Sequence, residues 1–226
     1  MEKETVIISD VHLGSKVSRA KELKKTLELE TFDRLILAGD IFDDLNFKRF
    51  QKSHWKLLSF LRKISKNKEI IWVVGNHDGP AEVLSNILGI SIVDEFVFEH
   101  YNKKYLVIHG DQFDSLIRKC PTILTFVSDS IGYLYIFLQS FNRKLTRYIK
   151  QKSKDWLKVS KKVSQRAINY AIKKGVDSII CGHTHYATKI EKNPIIYYNT
   201  GCWTDDPSSY IKFFKNKKEP EIIFIK

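Results

Sequence analysis

Short apolar runs rich in β-branched residues recur along the chain, and turn-forming or charged residues bound each of them. The runs are TVIIS (5–9), RLILA (34–38), IIWVV (70–74), YLVIH (105–109), SIICG (178–182) and IIYYN (195–199). Runs of this composition predict strands, and the lack of polar alternation in several of them predicts strands covered on both faces. Because such strands need partners on both sides, we expect a fold built on layered sheets.

Helical spacing appears between the strand-like runs. Leu57, Leu58, Leu61 and Ile64 form a stripe that predicts an amphipathic helix before the third run. The sequence after about residue 195 has little helical pattern and predicts further strands. With 226 residues, 43% of them hydrophobic, and no internal repeat, the chain predicts one α/β domain spanning 1–226.

The segment GDIFDD, residues 39–44, places three carboxylates directly after an apolar run. A strand that enters a sheet interior is not expected to end in this much negative charge unless a cation is bound there. Other residues of metal-ligand type also follow the apolar runs, namely Asp10 and His12, Asn76 and His77, His109, and His183 and His185. Because ligands bind at the carboxyl ends of strands in open α/β sheets, we predict that these side chains converge on metal, with Asp40 shared between two ions.

The chemistry of these side chains limits the choice of metal. Carboxylate, imidazole and amide groups suit Mn²⁺, Fe or Zn²⁺ better than Ca²⁺, and we predict two divalent ions, with Mn²⁺ as the first choice. Asp10 and His12, like His183 and His185, lie two residues apart, which predicts that each pair projects to one side of an extended segment. Ligating histidines need an acceptor for their other ring nitrogen, and the candidates are Asp43, Asp44, Asp78 and Asp111.

Each of these motifs has an ordinary explanation when it stands alone, such as a turn or a loop that tolerates left-handed geometry. Five of them in order, each after an apolar run, favour the metal site. The remaining histidines, His54 and His100, are predicted to be surface residues, and Cys181 is predicted to pack in the core. The three cysteines are widely spaced and form no CxxC pair, which favours a reducing, cytoplasmic compartment.

Residues 112–175 differ from the rest of the chain. They contain fourteen Lys and Arg against three acidic residues, and so carry +11 of the net charge of +12. Two helical stripes, one from Ile123 to Phe141 and one from Trp156 to Ala171, predict a helical, basic insertion. This charge predicts an anionic partner, which could be nucleic acid, phospholipid headgroups or a phosphorylated substrate. Polar residues around Asp129 interrupt the first stripe and argue against a transmembrane helix.

The motifs D-x-H, GD-x-x-D, GNHD, HGD and GHTH, in this order between residues 10 and 185, resemble those of the calcineurin-like metallophosphoesterase family. The resemblance implies an α/β sandwich of two mixed β-sheets flanked by helices, with a dinuclear centre at the strand ends. It also implies how the ligands divide: one ion is held by Asp10, His12 and His185, the other by Asn76, His109 and His183, and Asp40 bridges them.

The same resemblance implies a reaction, in which activated water attacks phosphorus in line with the leaving group. His77 matches the catalytic histidine of the family, which protonates the leaving oxygen, and Asp78 would orient its ring. Within the family, the chain is similar to the UDP-2,3-diacylglucosamine hydrolases of lipid A biosynthesis, whose insertion between HGD and GHTH forms a lid over acyl chains. The best-known branch of that group carries Arg at the position of His77.

This likeness predicts an enzyme that splits the pyrophosphate of a lipid-linked nucleotide sugar at the inner face of a membrane. The basic insertion, 112–175, would contact anionic headgroups. An alternative is a nuclease or nucleotide phosphodiesterase, with the insertion along a nucleic-acid backbone and Tyr148 and Trp156 stacking on bases. A non-enzymatic scaffold is a third reading, but scaffolds derived from this family usually lose ligands, and here every ligand position is filled.

Overall fold

The structure, a computed structural model, describes residues 2–114 and 153–226. The first part contains β1 (Thr5–Ile8), α1 (Ala20–Leu29), β2 (Arg34–Ala38), α2 (Lys52–Ile64), β3 (Glu69–Val73), α3 (Ala81–Leu88), β4 (Ser91–Val93), β5 (Glu95–His100) and β6 (Lys103–Ile108). The second contains α4 (Lys154–Lys174), β7 (Ser178–Cys181), β8 (Thr188–Lys192), β9 (Ile195–Asn199), β10 (Ser208–Phe213) and β11 (Glu221–Ile225). Short 3₁₀ turns lie at Phe47–Arg49 and Asp111–Phe113.

The strands form two mixed sheets. The six-stranded sheet has the order β11-β10-β1-β2-β3-β4, in which β1 to β4 are parallel and β10 is antiparallel to both of its neighbours, β1 and β11. The five-stranded sheet has the order β5-β6-β7-β9-β8, with β6, β7 and β9 parallel. The predicted architecture of two mixed sheets flanked by helices is confirmed.

Three buried layers of apolar side chains hold the sandwich together. One layer fills the space between the sheets, where Ile36 and Val73 meet Val107 and Ile180. A second packs α1, α2 and α3 on the outer face of the six-stranded sheet, and a third packs α4 on the outer face of the five-stranded sheet. Successive residues of a strand therefore enter different layers, which is why these strands are apolar without alternation.

The six apolar runs coincide with β1, β2, β3, β6, β7 and β9, and the predicted strands after residue 195 are confirmed as β9 to β11. The stripe before β3 lies on α2, and the stripe from Trp156 to Ala171 lies on α4. The sequence reading missed β4, β5 and β8, which are edge strands or short strands with exposed positions. The stripe from Ile123 to Phe141 lies outside the described residues.

The helix α4 packs one face on the sheet and leaves the other in solvent. Val163, Ala167 and Ala171 are buried, whereas Lys158, Lys161 and Lys162 are exposed. Ser153 begins the helix by accepting a hydrogen bond from the backbone of Trp156, at 3.4 Å. Among the residues described, no helix combines the length and the apolar character needed to cross a bilayer.

The two histidines that the sequence predicted at the surface are buried, so that prediction is wrong. His100, at the end of β5, places Nδ1 2.8 Å from Glu2 Oε2 and Nε2 2.8 Å from Lys217 O. His54 lies on the inward face of α2, and its Nδ1 accepts from the backbone N–H groups of Gly14 and Gln51, both at 3.2 Å. Burial lowers the pKa of His54, which keeps the ring neutral and able to accept.

These contacts make His54 a stability determinant. We expect His54→Ala to lower the free energy of unfolding by about 2–4 kcal/mol, because it leaves a cavity, the buried N–H of Gly14 unpaired and the N–H of Gln51 without its cap. His54→Asn should recover part of the loss, since its amide oxygen can accept, and the exposed neighbour Lys56→Ala should change stability by less than about 0.5 kcal/mol. Urea unfolding of the chelator-treated protein measures this; equal stability of His54→Ala and Lys56→Ala would contradict it.

Candidate metal centre

The predicted ligands sit in the turns that follow five strands, at one edge of the sandwich. Asp10 and His12 follow β1, Asp40 follows β2, Asn76 and His77 follow β3, His109 ends β6, and His183 and His185 follow β7. Backbone hydrogen bonds join the first two turns, from Asp10 N to Gly39 O at 3.0 Å and from Val11 N to Asp40 O at 2.9 Å. Both sheets therefore contribute side chains to one site.

The ligand atoms fall into two main clusters. Asp10, His12 and His185 offer atoms that all lie within 4.8 Å of one another, with 3.0 Å between His185 Nε2 and Asp10 Oδ1. Asp40, His109 and His183 form the second cluster with the same limit of 4.8 Å. We interpret these clusters as the two ion sites that the family resemblance implies, and the division of the ligands stays a prediction. Asn76 lies in the turn after β3 with its side chain exposed, and its role as a ligand stays a prediction.

Asp40 lies between the two clusters. Its Oδ2 is 3.2 Å from His109 Nε2 in one cluster and 3.9 Å from His12 Nε2 in the other. A carboxylate that faces both clusters can bridge two cations. The bridging role of Asp40 is our interpretation of this position.

The backbone at the ligands is left-handed. Five of the candidate ligands have positive φ angles, namely Asp10 (54°), His12 (50°), Asp40 (53°), His183 (64°) and His185 (53°). The prediction that the Asp10/His12 and His183/His185 pairs lie on extended segments is therefore wrong. Residues other than glycine adopt this conformation only at a cost of roughly 1–2 kcal/mol each, so the surrounding fold must hold them there.

The donor set fits a bound cation. The Nε2 atom of His109 is fully buried, and among the described residues the group it faces is the carboxylate of Asp40, whose Oδ2 lies 3.2 Å away. In the other cluster, His12 Nε2 and His185 Nε2 face each other at 3.3 Å. Converging nitrogen and oxygen lone pairs in a buried site are the ligand arrangement that divalent transition metals take.

The ionisation of the site also favours a cation. Burial opposes the charge of Asp40, yet His109, His77 and His12 lower its pKa well below the usual value. Burial likewise opposes the charge of Asp10, and His185 and His109 lower its pKa. The carboxylates thus stay ionised, and metal ions can replace the positive charge that protonated histidines supply otherwise.

Two glycines allow the turns to approach this closely. A Cβ atom on Gly182 would overlap Ser9 Oγ, and a Cβ atom on Gly75 would overlap the backbone N of Asp40. Any side chain at either position would push the ligand turns apart. The glycines of GNHD and GHTH are thus part of the packing of the site.

His77 is exposed at the rim, and its ring lies 5.2 Å from the ring of His12. Its Nδ1 is 2.9 Å from the carbonyl oxygen of Asp43, and its backbone N–H donates to Asp40 Oδ1 at 2.9 Å. The carbonyl can only accept, so Nδ1 carries the proton of that bond. Nε2 is then the ring nitrogen that can exchange a proton with a substrate.

The prediction that Asp78 orients the ring of His77 is wrong. The buried carboxylate of Asp78 accepts from the backbone N–H groups of Asp40, Ile41, Phe42 and Gly75 and from the indole of Trp72, at 2.8–3.1 Å. These bonds engage both carboxylate oxygens of Asp78, so neither oxygen is left to orient the imidazole of His77. Asp78 instead shapes the GDIF turn that presents Asp40.

The other ring nitrogens of the ligand histidines find different acceptors. His12 Nδ1 is 3.2 Å from Asp43 Oδ1, which confirms Asp43 as an acceptor. His109 Nδ1 donates to Ala38 O at 2.9 Å, and His183 Nε2 lies 3.3 Å from Asp114 Oδ2. Asp44 pairs with Arg49, and among the described residues no hydrogen bond joins Asp44 or Asp111 to a histidine.

Asn199 and Asp114 support the site, and the sequence reading missed both. Asn199 is buried at the end of β9, where its Nδ2 donates to Gly182 O at 2.5 Å and to Thr184 Oγ1 at 3.1 Å, which holds the GHTH turn. The only sequence signal was a polar residue closing the run IIYYN. Asp114 lies five residues after His109, beyond the HGD motif.

The described ends of the basic insertion lie near the centre, and one of them contacts a candidate ligand. On one side, Asp114 meets His183, and Arg166 of α4 donates to Phe113 O at 2.7 Å. On the other side, Trp156 packs edge-on against Tyr186, next to His185, with 5.0 Å between ring centroids. Residues 115–152 lie outside the described structure.

Paired carboxylate and imidazole clusters on a double-sheet sandwich are the arrangement expected of a hydrolase that uses two metal ions. The family description "Calcineurin-like phosphoesterase" matches residues 4–187. The chain therefore belongs to the calcineurin-like phosphoesterase family, and it is a metal-dependent phosphoesterase. Enzymes of this family use divalent metal ions.

Similar proteins agree with this assignment. UDP-2,3-diacylglucosamine hydrolase of Coxiella burnetii is 26% identical over 221 residues, which cover 89% of this chain and 90% of the relative. A solved archaeal phosphodiesterase has a TM-score of 0.54 at 18% identity, covering 98% of this chain and 99% of its own. YfcE, a phosphoesterase of E. coli, has a TM-score of 0.53 at 15% identity, covering 99% of this chain and 100% of its own. The two structures show the shared fold.

Metal uptake should be coupled to proton release at His109. Burial opposes the charged ring, but Asp40 and Asp10 raise the pKa of His109 to about 10, above the ordinary value of 6.5. Its proton is therefore bound in the metal-free protein at pH 8, and ligation must displace it. We expect Mn²⁺ binding at pH 8 to release about one proton from this group, and the apparent affinity to rise about tenfold per pH unit.

Calorimetric titration in two buffers of different ionisation enthalpy measures this release. Because the pKa of His109 is higher in the folded than in the unfolded protein, protonation of this ring stabilises the metal-free fold. This contribution is complete below pH 6.5 and is lost as the pH rises through about 10. His109→Gln, which cannot be protonated, is the control and should show less buffer dependence. Identical heats in both buffers for the unaltered protein would contradict the prediction.

Proposed function

We propose that this phosphoesterase hydrolyses the pyrophosphate bond of a lipid-linked nucleotide sugar such as UDP-2,3-diacylglucosamine. The observation that carries the proposal is the position of the described ends of the basic insertion: Asp114 contacts the candidate ligand His183, and Trp156 packs on Tyr186, the residue that follows His185. Whatever the insertion binds is thus held beside the reacting phosphate. The name of the Coxiella burnetii relative supplies the substrate class.

The residues of the site have separate roles as metal ligands and as supports of the ligand turns. Asp10, His12 and His185 would hold one divalent ion and Asn76, His109 and His183 the other, with Asp40 between them. We favour Mn²⁺, with Fe or Zn²⁺ as alternatives. When bound, the ions supply Lewis-acid activation of water and of the phosphoryl group. Asp78 and Asn199 keep the ligand turns in place through their hydrogen bonds to backbone groups.

His77 supplies the proton for the leaving oxygen. Its Nδ1–H donates to the carbonyl of Asp43, so Nε2 on the rim of the site is the nitrogen that faces the substrate and would donate the proton. Donation from Nε2 neutralises the charge that develops on the leaving group as the bond to phosphorus breaks. A proton donor matters most when the leaving group is a poor one.

The partner of the insertion is an anionic membrane surface at the inner face of a cytoplasmic membrane. Lys158, Lys161 and Lys162 are exposed on α4, and the apolar side chains of Leu157 and Ile172 are 39% and 53% exposed on the same helix. Basic residues next to exposed apolar ones are the pair of signals that gives reversible attachment to anionic lipid. Residues 112–175 would in this way deliver an amphiphilic substrate to the centre.

A substrate panel tests the activity directly. With Mn²⁺ added, we expect hydrolysis of UDP-2,3-diacylglucosamine at a higher kcat/KM than of bis-p-nitrophenyl phosphate, and no cleavage of single-stranded DNA or RNA. Asp40→Ala should abolish all activity, because it removes the shared carboxylate, and it serves as the blank. Preferred cleavage of nucleic acid would favour the nuclease alternative and contradict the lipid substrate.

Liposome binding tests the membrane partner. Replacing Lys158, Lys161 and Lys162 by Glu should weaken binding to anionic vesicles by at least about tenfold at low salt, since each basic residue contributes about 1 kcal/mol. The effect should shrink at high salt, and activity on bis-p-nitrophenyl phosphate should persist. The matched control replaces Lys215, Lys217 and Lys218 by Glu, with the same charge change on the C-terminal hairpin. Equal losses from the two triple variants would count against a specific surface on α4.

A further inference from the structure

We propose that Arg49 is a positioning residue that, through Asp43, fixes both the metal ligand His12 and the proton donor His77. The inference rests on the proposed function, because it assigns a task to residues of the same site. Arg49 itself touches neither cluster of ligands. Its task is to hold Asp43 in the one orientation that serves both histidines.

Arg49 clamps the end of the GDIFDD segment. It closes the 3₁₀ turn Phe47–Arg49, and its Nη2 lies 2.6 Å from Asp43 Oδ2 while its Nη1 donates to the carboxylate of Asp44. The planar guanidinium thus bonds two consecutive carboxylates with its two terminal nitrogens. This forked geometry fixes direction as well as charge, which a lysine cannot reproduce.

Three groups of Asp43, its carboxylate, its carbonyl and its backbone N–H, make hydrogen bonds at the site. Its Oδ1 faces His12 Nδ1 at 3.2 Å, and its carbonyl oxygen accepts from His77 Nδ1 at 2.9 Å. Its backbone N–H donates to Leu13 O at 3.0 Å, which ties the segment to the turn after β1. A rotation of this one residue would therefore move the rings of a ligand and of the proton donor together.

The charge of Arg49 is needed because the segment is crowded with carboxylates. Asp43 and Asp44 are adjacent and lie near Asp40, while His12, Asp43 and His77 place possible ligand atoms within 4.8 Å of one another. Without a cation on Oδ2, the carboxylate of Asp43 would be free to swing toward the bound metal or away from Asp44. Arg49 occupies Oδ2 and leaves Oδ1 for His12.

Two variants of Arg49 and one control separate positioning from general stability. Arg49→Met removes the charge and the fork, and Arg49→Lys keeps only the charge. Arg34→Met is the matched control, because Arg34 also pairs with a carboxylate, Glu69, at 2.7 Å, but lies at the opposite end of β2. His77→Ala serves as the reference for loss of proton donation.

The first measurement is Mn²⁺ binding to the chelator-treated protein by calorimetry, which needs no activity. We expect Arg49→Met to weaken binding by about 10–100-fold, the usual effect of losing the support of a ligating histidine. Arg49→Lys should fall between Arg49→Met and the unaltered protein, and it carries the test if Arg49→Met does not fold. Arg34→Met should bind Mn²⁺ as the unaltered protein does.

The second measurement is kcat on aryl phosphodiesters that release nitrophenolate or phenolate. Arg49→Met should lose about tenfold more activity with phenolate than with nitrophenolate, in the same direction as His77→Ala, because its proton donor is misplaced. Unchanged Mn²⁺ affinity and an unchanged ratio of the two rates would overturn the proposal, as would the same changes in Arg34→Met. Inactivity of the unaltered protein on every diester would instead contradict the proposed function, and the Mn²⁺ titration would still decide the role of Arg49.

Discussion

Two buried carboxylates, Asp10 and Asp40, require compensating positive groups, and the whole site is built around this requirement. Each lies at the carboxyl end of a strand, out of contact with bulk water, where an uncompensated charge would cost far more than the fold could supply. Histidines from the second sheet, above all His109, approach them from the other side. The sandwich can bury these acids only because both sheets end at the same edge and bring compensating groups to it.

The support for this arrangement is mainly hydrogen bonding to the backbone. Asp78 accepts from three consecutive N–H groups around Asp40, and Asn199 bonds to the carbonyl of Gly182 in the GHTH turn. Such bonds hold the left-handed residues of the ligand turns against their intrinsic preference. Rigidity of this kind is what a metal centre needs, since ligand positions must be fixed before the metal arrives.

The basic insertion is attached to the body along its described part. Its helix α4 packs on the five-stranded sheet, and the contacts of Asp114 with His183, Arg166 with Phe113 O and Trp156 with Tyr186 lie near the ligands. Loops and insertions on a rigid scaffold are where enzymes of one fold vary their substrates. In the function proposed here, the rigid centre would carry the chemistry and the basic insertion would select the substrate.

The sequence by itself determined the buried strands, the apolar stripes of α2 and α4 and the ligand candidates, because apolar runs and the polar residues that end them are local patterns. Tertiary structure decided the rest. Whether His54 faces solvent or core depends on which face of α2 packs, and the partner of Asp78 depends on a turn whose φ angles no local pattern reveals. Asp114 meets His183 only because the fold brings together segments that are distant in sequence. Arg49 meets Asp43 only because the chain between them folds into a tight turn. Periodicity reports which residues are buried, but the direction of each buried hydrogen bond is set by the packed neighbours.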